Sequence, residues 1–353
     1  MKDIDLAWNR FINDGILNIE KKKKNNNVSP KCGHIYISTK TKIAYISEKI
    51  NLNEIFWKIN ITPYFKQKEG VIKKQIKMVC LSEKETLELN EKIKKENHNY
   101  LNIQIIKSIN NPNAKRVKYK YVKKINIGLS KKDIISLRTK KKGAFYNCIV
   151  LIIRLKINKI FKEFHIKIFN TGKLEIPGIK YDSSLVLLLN KLISILQPFY
   201  KNKIIWKPED IDTVLINSNF NCGFYLDRIK LYKILKYKYN IQVVFDSCSY
   251  PGIQCKFYYN TKNEQNNGRC NCEKQCNKKE KKKNQCVGVS FMIFRTGSVL
   301  IVGRCTEKIL NFIYKYIKEI LITEYSKIKI NYVKIEKPKK EKKPKKKMIL
   351  VSI

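Results

Sequence analysis

The chain has 353 residues, of which 43% are hydrophobic, so most of it should fold around a sizeable core. Lys and Arg total 74 against 29 Asp and Glu, which gives a net charge of +45. This charge predicts a polyanionic partner, with nucleic acid favoured over an anionic membrane. Lys, Asn and Ile have A/T-rich codons, so genome composition explains part of the excess. The lack of an uncharged apolar run of about 18 residues argues against a membrane span, and 11 scattered cysteines without a secretory signal predict a reducing intracellular compartment.

The first predicted elements lead into the first half of the fold. Residues 1–33 are expected to form an amphipathic helix and a basic linker. Residues 34–200 are expected to form the first repeat, which opens with strand-like alternation over 34–47 and a short helix from Asn51.

An inserted region near residues 60–142 elaborates this first half. Its pattern predicts two strands with a helix between them. Ser82 and Glu85 form a capping box, which is typical of a helix start.

The first half ends in strongly apolar segments. Residues 143–157 are predicted to form a strand, because long β-branched runs favour strands. A strand pair around Phe169 follows, and then a helix capped by Asp182 and stopped at Pro198. This helix is apolar nearly all round, so we expect it to be covered on several sides.

Residues 205–330 repeat the same order of elements. They predict a strand over 212–224, a helix over 226–239, an extended segment over 242–260, a strand pair over 287–302 and a helix from Thr306. A Cys- and Lys-rich insert at 261–286 interrupts this half, and the basic tail 331–353 is expected to be disordered.

Two stretches echo each other: HIKIFNTGKLEIPGIK at 165–180 and SFMIFRTGSVLIVGRC at 290–305. At a constant offset they share Ile168/Ile293, Phe169/Phe294, Thr171/Thr296, Gly172/Gly297, Ile176/Ile301 and Gly178/Gly303. Two copies favour a single molecule with two pseudosymmetric halves. Each half mixes helices and antiparallel strands, and a sheet with helices on one face leaves its other face to solvent or a ligand.

This plan resembles that of TATA-box-binding protein, and more narrowly the TATA-binding-protein-like transcription factors of large DNA viruses. The strings that carry the resemblance are GVIKKQIK (70–77), AFYNC (144–148), FNTGKLEIPGI (169–179), INSNFNCGF (216–224), SYPGIQCKFYYN (249–260) and FRTGSVLIVGRC (294–305). The resemblance covers about 34–325, apart from the inserts.

The resemblance implies an α+β fold in which two repeats form a curved antiparallel sheet, a saddle with helices on its convex face. In this family the concave face lies in the DNA minor groove, and aromatic wedges at the ends of the sheet open base steps and bend the duplex; TATA-box-binding protein is itself the standard example of such wedging. Phe169 and Phe294 match the wedge positions before the turns, Tyr250 stands where the family usually has a second Phe, and Phe145 is the best match in the first half. The alternative for each aromatic is a core position between sheet and helices.

The family reads the groove floor with an Asn on the first strand of each half. In the second half Asn217 or Asn219 can serve, since the two alternate to the same face and an amide suits the acceptors of A·T pairs, whereas residues 35–46 contain no Asn. The resemblance also assigns a phosphate contact to Lys173, and Arg295 at the second turn is a further candidate.

The groove-facing Thr of the family is replaced by Pro177 and Val302. Glu175 is expected on the same face as Pro177, where a carboxylate near an anionic groove is unfavourable. Either the first half binds DNA weakly, or Glu175 is turned away or paired with a Lys.

Four cysteines of the insert, Cys270, Cys272, Cys276 and Cys286, have the spacing C-x-C-x3-C-x9-C, which fits a zinc site but is not the paired C-x2-C pattern of a ribbon. Free thiols on a variable loop are the alternative. The insert joins two sheet strands beside a predicted wedge. The three histidines form no set with a nucleophile, and the chain is interpreted as a non-enzyme.

The sequence thus favours a virus-encoded initiation factor that binds and bends A/T-rich promoter DNA as a monomer. Its expected partners are general transcription factors and a viral RNA polymerase, and no membrane is expected among them. Its expected location is a viral replication compartment in the cytoplasm or the host nucleus. The alternatives are a non-specific architectural DNA-bending protein and a DNA-repair enzyme on the same fold.

Overall fold

The structure of the chain is a computed structural model, which describes residues 30–96, 100–135, 145–262, 266–270, 272 and 286–330. The helix predicted near the N-terminus, most of the Cys- and Lys-rich insert and the basic tail lie outside the described residues.

The described residues contain twelve strands, which form one antiparallel sheet. In chain order the strands are β1 (Tyr36–Tyr45), β2 (Gly70–Cys80), β3 (Leu101–Asn110), β4 (Tyr119–Gly128), β5 (Cys148–Ile157), β6 (Ile160–Phe169), β7 (Lys173–Ile179), β8 (Asp212–Asn221), β9 (Gln242–Val244), β10 (Ile253–Tyr259), β11 (Val287–Ile293) and β12 (Ser298–Gly303). Their order across the sheet is β3-β4-β2-β5-β6-β7-β1-β8-β12-β11-β10-β9.

The helices of the described residues connect or follow these strands. They are α1 (Leu52–Lys58), α2 (Glu83–Lys95), α3 (Lys131–Ile135), α4 (Asp182–Leu196), α5 (Arg228–Lys233), α6 (Glu307–Thr323) and α7 (Tyr325–Ile328). A π-helical turn, Ile234–Lys238, continues α5. Among the described helices, none combines the length and the apolar character that crossing a bilayer requires.

The strand order is pseudosymmetric about the central pair β1–β8. Moving outward from that pair, β7, β6, β5 and β2 in the first half correspond to β12, β11, β10 and β9 in the second. The long helices α4 and α6 follow the equivalent strands β7 and β12. The predicted α+β fold of two related halves on one antiparallel sheet is therefore confirmed.

The first half is extended by a hairpin of β3 and β4, which lies beyond β2 at the edge of the sheet. β2 pairs with β4 on one side and with β5 on the other, and it holds the position that β9 holds in the second half. The elaboration within 60–142 therefore begins after β2, at Cys80.

The apolar residues of the strands alternate with polar ones, and the apolar face packs against helices. In β7, Leu174 and Ile176 are fully buried with Leu188 of α4. In β12, Val299 and Ile301 are fully buried in the corresponding core with α6. Each half thus has its own hydrophobic core on the same side of the sheet.

Two expectations about α4 are wrong. The helix is not covered on several sides, because Val186 and Leu187 are 40% and 52% exposed. Asp182 is not its cap, since the N-cap is Tyr181 and Asp182 is the first helical residue. Its carboxylate instead forms an ion pair at 2.9 Å with Lys42 of β1.

The caps of two other helices agree with the sequence. The Ser82 hydroxyl accepts from the Glu85 backbone N–H at 3.2 Å, and the Glu85 carboxylate accepts from the N–H of Leu81 rather than from that of Ser82. The Thr306 hydroxyl caps α6 by accepting from the Ile309 N–H. These bonds satisfy N–H groups that have no partner within a helix.

Candidate nucleic-acid interface

The face of the sheet opposite the helices is formed by the partly exposed residues that alternate with the core; we refer to it as the open face. On β7 it carries Lys173, Glu175 and Pro177, and on β12 Ser298, Leu300 and Val302. An exposed sheet face in a strongly basic chain is a candidate surface for a polyanion.

Each half of the open face ends in a tight turn between the two echoed strands. In the first turn the Gly172 N–H donates to the Phe169 carbonyl at 3.0 Å, and in the second the Gly297 N–H donates to the Phe294 carbonyl at 3.0 Å. Both glycines have φ near +80°, a left-handed conformation that disfavours other residues. The turn places an aromatic residue at its first position in each half.

In the second half, the two predicted wedge residues lie side by side. The ring centroids of Tyr250 and Phe294 are 5.9 Å apart, with the ring planes at 61°. Both rings are partly exposed rather than sealed in the core. Gly252 lies between them, and a Cβ at this position would come within about 3 Å of both rings. Glycine therefore makes room for the pair.

In the first half, the strand register assigns the position of Tyr250 to Tyr146 rather than to Phe145, the residue predicted from the sequence. Phe169 pairs with Cys148, and in the second half Ile293 pairs with Ile253, which puts Phe294 opposite Gly252. Cys148 and Gly252 are thus equivalent. The residue two positions earlier is Tyr146 in the first half, as Tyr250 is in the second.

Phe145 and Tyr146 are both exposed, by 65% and 52%. The Lys167 ammonium lies 4.6 Å from the Phe145 ring centroid, and the Lys77 ammonium lies 3.4 Å from that of Tyr146. The Lys77 ammonium lowers the pKa of the Tyr146 hydroxyl. Comparing YNC at 146–148 with YPG at 250–252 would have revealed the equivalence in the sequence.

Two Asn residues lie near the centre of the open face. The Asn217 amide donates to the Thr39 hydroxyl at 3.2 Å, across the β1–β8 pair. Asn219 lies two residues further along, where it pairs with Leu300. Asn219–Leu300 corresponds to Ile43–Glu175 in the first half. The first half therefore has an apolar residue where the second half has an amide.

Glu175 is paired with a lysine, the last of the three alternatives that its sequence position left open. Lys167 and Glu175 are cross-strand neighbours on β6 and β7, and their charged groups are 2.7 Å apart. Both side chains are largely buried, at 17% and 30% exposure. The pair neutralises the carboxylate locally.

Basic groups lie beside both turns. The Lys173 ammonium is 5.8 Å from the Phe169 ring centroid, and Arg295 is exposed at the second turn. Arg228, at the start of α5, donates to the Pro251 carbonyl at 2.6 Å and lines a cleft of about 460 Å³ with Phe294 and Arg295. No pattern in the sequence pointed to Arg228, because only the tertiary fold brings α5 to this turn.

The outer edge of the first half's open face is contacted by the segment before and within α3. Asp133 is bonded to Lys73 of β2 at 2.7 Å and to the Ser130 hydroxyl at 2.6 Å, and the Lys131 N–H donates to the Glu163 carboxylate of β6. Burial raises the pKa of Asp133, but these bonds outweigh it and the net shift is downward. The segment of α3 therefore covers part of the open face in the first half.

His165 is enclosed near this edge. It pairs with Ile152 across β5 and β6, and its Nδ1 is buried without a hydrogen-bond partner among the described residues. Burial, reinforced by the positive charges of Lys167, Lys132 and Lys73, lowers the pKa of the imidazole to about 4. The ring is therefore neutral at physiological pH.

The cysteines of the insert are near one another but far from the wedges. The sulfur atoms of Cys270, Cys272 and Cys286 all lie within 4.8 Å of one another, while Cys276 is outside the described residues. The insert leaves after β10 and returns before β11, at the opposite end of these strands from Tyr250 and Phe294. The expectation that it lies beside a wedge is therefore wrong.

Comparison with known proteins gives a relative in a large virus. No protein-family model matches the chain. A TATA-box-binding protein-like protein of Acanthamoeba polyphaga mimivirus is 31% identical over 217 residues, which are 56% of this chain and 54% of that relative, so the chain spans about half of the relative's length. The TBP of Methanococcus jannaschii aligns with 82% of this chain and 98% of its own, at a TM-score of 0.38 and 13% identity, which are too low to establish a shared fold. The resemblance predicted from the sequence is thus confirmed at the level of the viral relative: this chain is similar to a TATA-box-binding protein-like protein.

Proposed function

We propose that the chain is a non-enzymatic, DNA-binding transcription factor that places its open face in the minor groove of A/T-rich promoter DNA and bends the duplex. The observation that carries the proposal is that Phe169 and Phe294 are partly exposed at equivalent positions of the two turns of a pseudosymmetric sheet. The name of the viral relative supports the same class of function.

The wedge mechanism follows from the chemistry of these side chains. An apolar ring that enters between two base pairs replaces part of the stacking that is lost, and the duplex bends away from it. Phe294 and Phe169 are partly exposed at the first positions of the turns, so insertion needs no unfolding of the core. Tyr250 supports the Phe294 ring from the segment before β10, with the ring centroids 5.9 Å apart.

The groove floor and the phosphates are assigned to different residues. Asn217 and Asn219 can donate amide N–H groups to the minor-groove acceptors of adenine and thymine. Lys173, Arg295 and Arg228 flank the turns and are assigned to phosphates, which fix the position of the protein on the duplex. These roles are proposals for the described residues and do not depend on the basic tail.

The helical side is the proposed surface for other proteins of the transcription machinery, including general transcription factors and a viral RNA polymerase. Val186 and Leu187 are exposed on α4, facing away from the proposed DNA surface. Exposed apolar residues on a helix suit a protein partner better than a nucleic acid. We place this activity inside an infected cell, in a viral replication compartment.

The test is DNA bending, measured by fluorescence transfer between dyes at the two ends of a promoter fragment. Wild-type protein should bend the fragment, whereas Phe294→Ala should lose the bend and bind about tenfold more weakly, since a ring–base contact is worth about 1–3 kcal/mol. Tyr237→Ala is the matched control, because Tyr237 is 68% exposed and belongs to the π-helical turn rather than to the open face. An unchanged bend in Phe294→Ala, with a normal circular dichroism spectrum, would refute the wedge role.

The open face of the first half favours one alternative, a non-specific architectural DNA-bending protein. That half has Ile43 and the Lys167–Glu175 pair where the second half has Asn219 and Leu300, so the amide donors of the four central strands lie in the second half. Gel shifts with A/T-rich promoter fragments and with G·C-rich fragments of equal length separate the two functions. Preference for A/T-rich DNA supports the promoter factor, and equal affinity supports the architectural protein.

A further inference from the structure

We propose that Cys270, Cys272 and Cys286 bind a zinc ion that fastens the insert of the second half to the sheet. The three sulfur atoms come from two segments that are separated along the chain, yet all lie within 4.8 Å of one another. The Sγ atoms of Cys272 and Cys286 are 3.5 Å apart. Nothing in the proposed contact with DNA uses these residues.

The spacing of the sulfur atoms fits a metal better than a disulfide. Zinc–thiolate bonds of about 2.3 Å at tetrahedral angles place the sulfurs about 3.8 Å apart, within the range that the three cysteines span. A disulfide needs sulfurs about 2.05 Å apart and joins only two residues. Three thiolates that converge on one point are typical of a zinc site, and soft sulfur ligands select zinc over magnesium or calcium.

The segment that carries Cys270 and Cys272 is held in place before any metal binds. The Tyr258 N–H of β10 donates to the Gly268 carbonyl at 3.1 Å, and the Tyr316 hydroxyl of α6 donates to the Asn267 carbonyl at 3.0 Å. Arg269 donates from Nε to the Tyr239 carbonyl at 3.2 Å. Residues 267–269 are thus anchored to a strand, a helix and the turn after α5, immediately before the first two thiols.

Cys286 is positioned by the sheet itself. It directly precedes Val287, the first residue of β11, which pairs with Tyr259 of β10. The two sides of the site are therefore set by the same β10–β11 hairpin. Such prearranged ligands reduce the ordering that metal binding must impose.

The ion would have a structural role. It would link the segment of Cys270 and Cys272 to Cys286, which directly precedes β11. Three protein thiolates leave one position of a tetrahedral site, which a water molecule can fill. Cys276, the fourth cysteine of the sequence pattern, lies outside the described residues, and the proposal does not require it.

The experiment measures zinc in the full chain, purified under reducing conditions and dialysed against zinc-free buffer. Elemental analysis should find about one zinc per chain in wild type and less than about 0.2 in Cys272→Ser. Cys248→Ser is the matched control, because Cys248 is exposed in the same half and lies outside the cluster, and it should retain the zinc. Cobalt substitution should give the intense thiolate-to-metal absorption in wild type and in Cys248→Ser but not in Cys272→Ser.

A second measurement tests this structural role of the ion without depending on DNA binding. Trypsin should cut after Arg269, directly before Cys270, several-fold more slowly with zinc than after chelation, and this difference should vanish in Cys272→Ser. Wild-type protein without stoichiometric zinc, equal loss of zinc in Cys248→Ser, or a Cys272–Cys286 disulfide found by mass spectrometry in the reduced preparation would each overturn the proposal. Because DNA bending is measured separately, failure of the zinc site leaves the proposed function untouched, and the reverse also holds.

Discussion

At the scale of single residues, the aromatic residues near the two turns show what a sequence motif can predict and what it cannot. Phe169 and Phe294 were found from the echo, because the Thr-Gly turn fixes their place at its first position. Phe145 and Tyr146 are adjacent aromatic residues, and the pairing of Cys148 with Phe169 assigns the position of Tyr250 to Tyr146. Which of the two neighbours matches Tyr250 is a question of strand register.

Glu175 shows the same limit for charged residues. The alternation of β7 correctly predicted which face Glu175 shares with Pro177. Its partner Lys167 lies on the preceding strand, eight residues earlier in the chain. A lysine-rich sequence offers many candidate partners, so the choice needed the register between β6 and β7.

We expect His165 to make the protein less stable in mild acid. Its pKa is about 4 in the folded chain, against 6.5 for a fully solvated imidazole, so between these values the unfolded chain binds a proton that the folded chain does not. Stability from this site is complete above pH 6.5 and declines as the pH falls towards 4, by at most about 3 kcal/mol. Urea unfolding at pH 7 and pH 5 measures the change.

The matched variants for this prediction are His165→Leu and His34→Leu. His165→Leu should reduce the loss of stability between the two pH values, whereas His34→Leu, at an exposed position, should leave it as in wild type. If His165→Leu loses as much stability as wild type does on going to pH 5, the buried imidazole is not the source.

At the scale of elements, the turns and caps were predictable because their rules are local. The Ser82 cap of α2 and the Thr306 cap of α6 each join a hydroxyl to a backbone N–H three residues later in the chain. The Asp182 cap failed because a tertiary partner, Lys42 of β1, binds its carboxylate. The β3–β4 hairpin was only outlined as an elaboration, since edge pairing beyond β2 is not encoded in the alternation of one strand.

Two glycines with similar backbone angles should respond differently to alanine. Gly172 has φ +80°, and a Cβ there would lie 2.7 Å from the carbonyl oxygens of Ile46 and Glu48. Gly178 has φ +85° with nothing within 4 Å of the added Cβ. Gly178→Ala should cost about 1–2 kcal/mol for the left-handed conformation alone, and Gly172→Ala should cost about 3 kcal/mol or more.

Thermal or urea unfolding of both variants provides the comparison. The difference between the two isolates the steric term, because the backbone strain is nearly equal. Equal destabilisation would mean that the turn at Gly172 relaxes easily, and would weaken the view that it holds Phe169 in a fixed place.

At the scale of the whole molecule, the two halves share an architecture and differ in content. The pseudosymmetry was predictable from the echo, and the central β1–β8 pair follows from it. The differences were not predictable, because they come from the contact of α3 with the first half and the cysteine insert of the second. Among the described residues, neither α3 nor the cysteine cluster has an equivalent in the other half.

Binding to DNA should weaken steeply with salt in a chain of net charge +45. Each phosphate that is neutralised contributes about −0.9 to the slope of log affinity against log salt concentration. Lys173→Gln should therefore reduce the slope by about one, whereas Lys308→Gln, at an exposed position on the helix side, should leave it unchanged. Equal slopes for all three proteins in fluorescence titrations would show that Lys173 touches no phosphate.

The uneven distribution of Asn217, Asn219 and the Lys167–Glu175 pair affects the orientation in which the protein would bind a duplex. A body with perfect two-fold symmetry would sit on a duplex equally well facing upstream or downstream. In the proposed complex, reversing the protein exchanges an amide-bearing surface for one with an ion pair, so the two orientations would have unequal energies on any site that is not itself a palindrome. The direction of binding would then be set by side chains of three strands of one sheet, β6, β7 and β8.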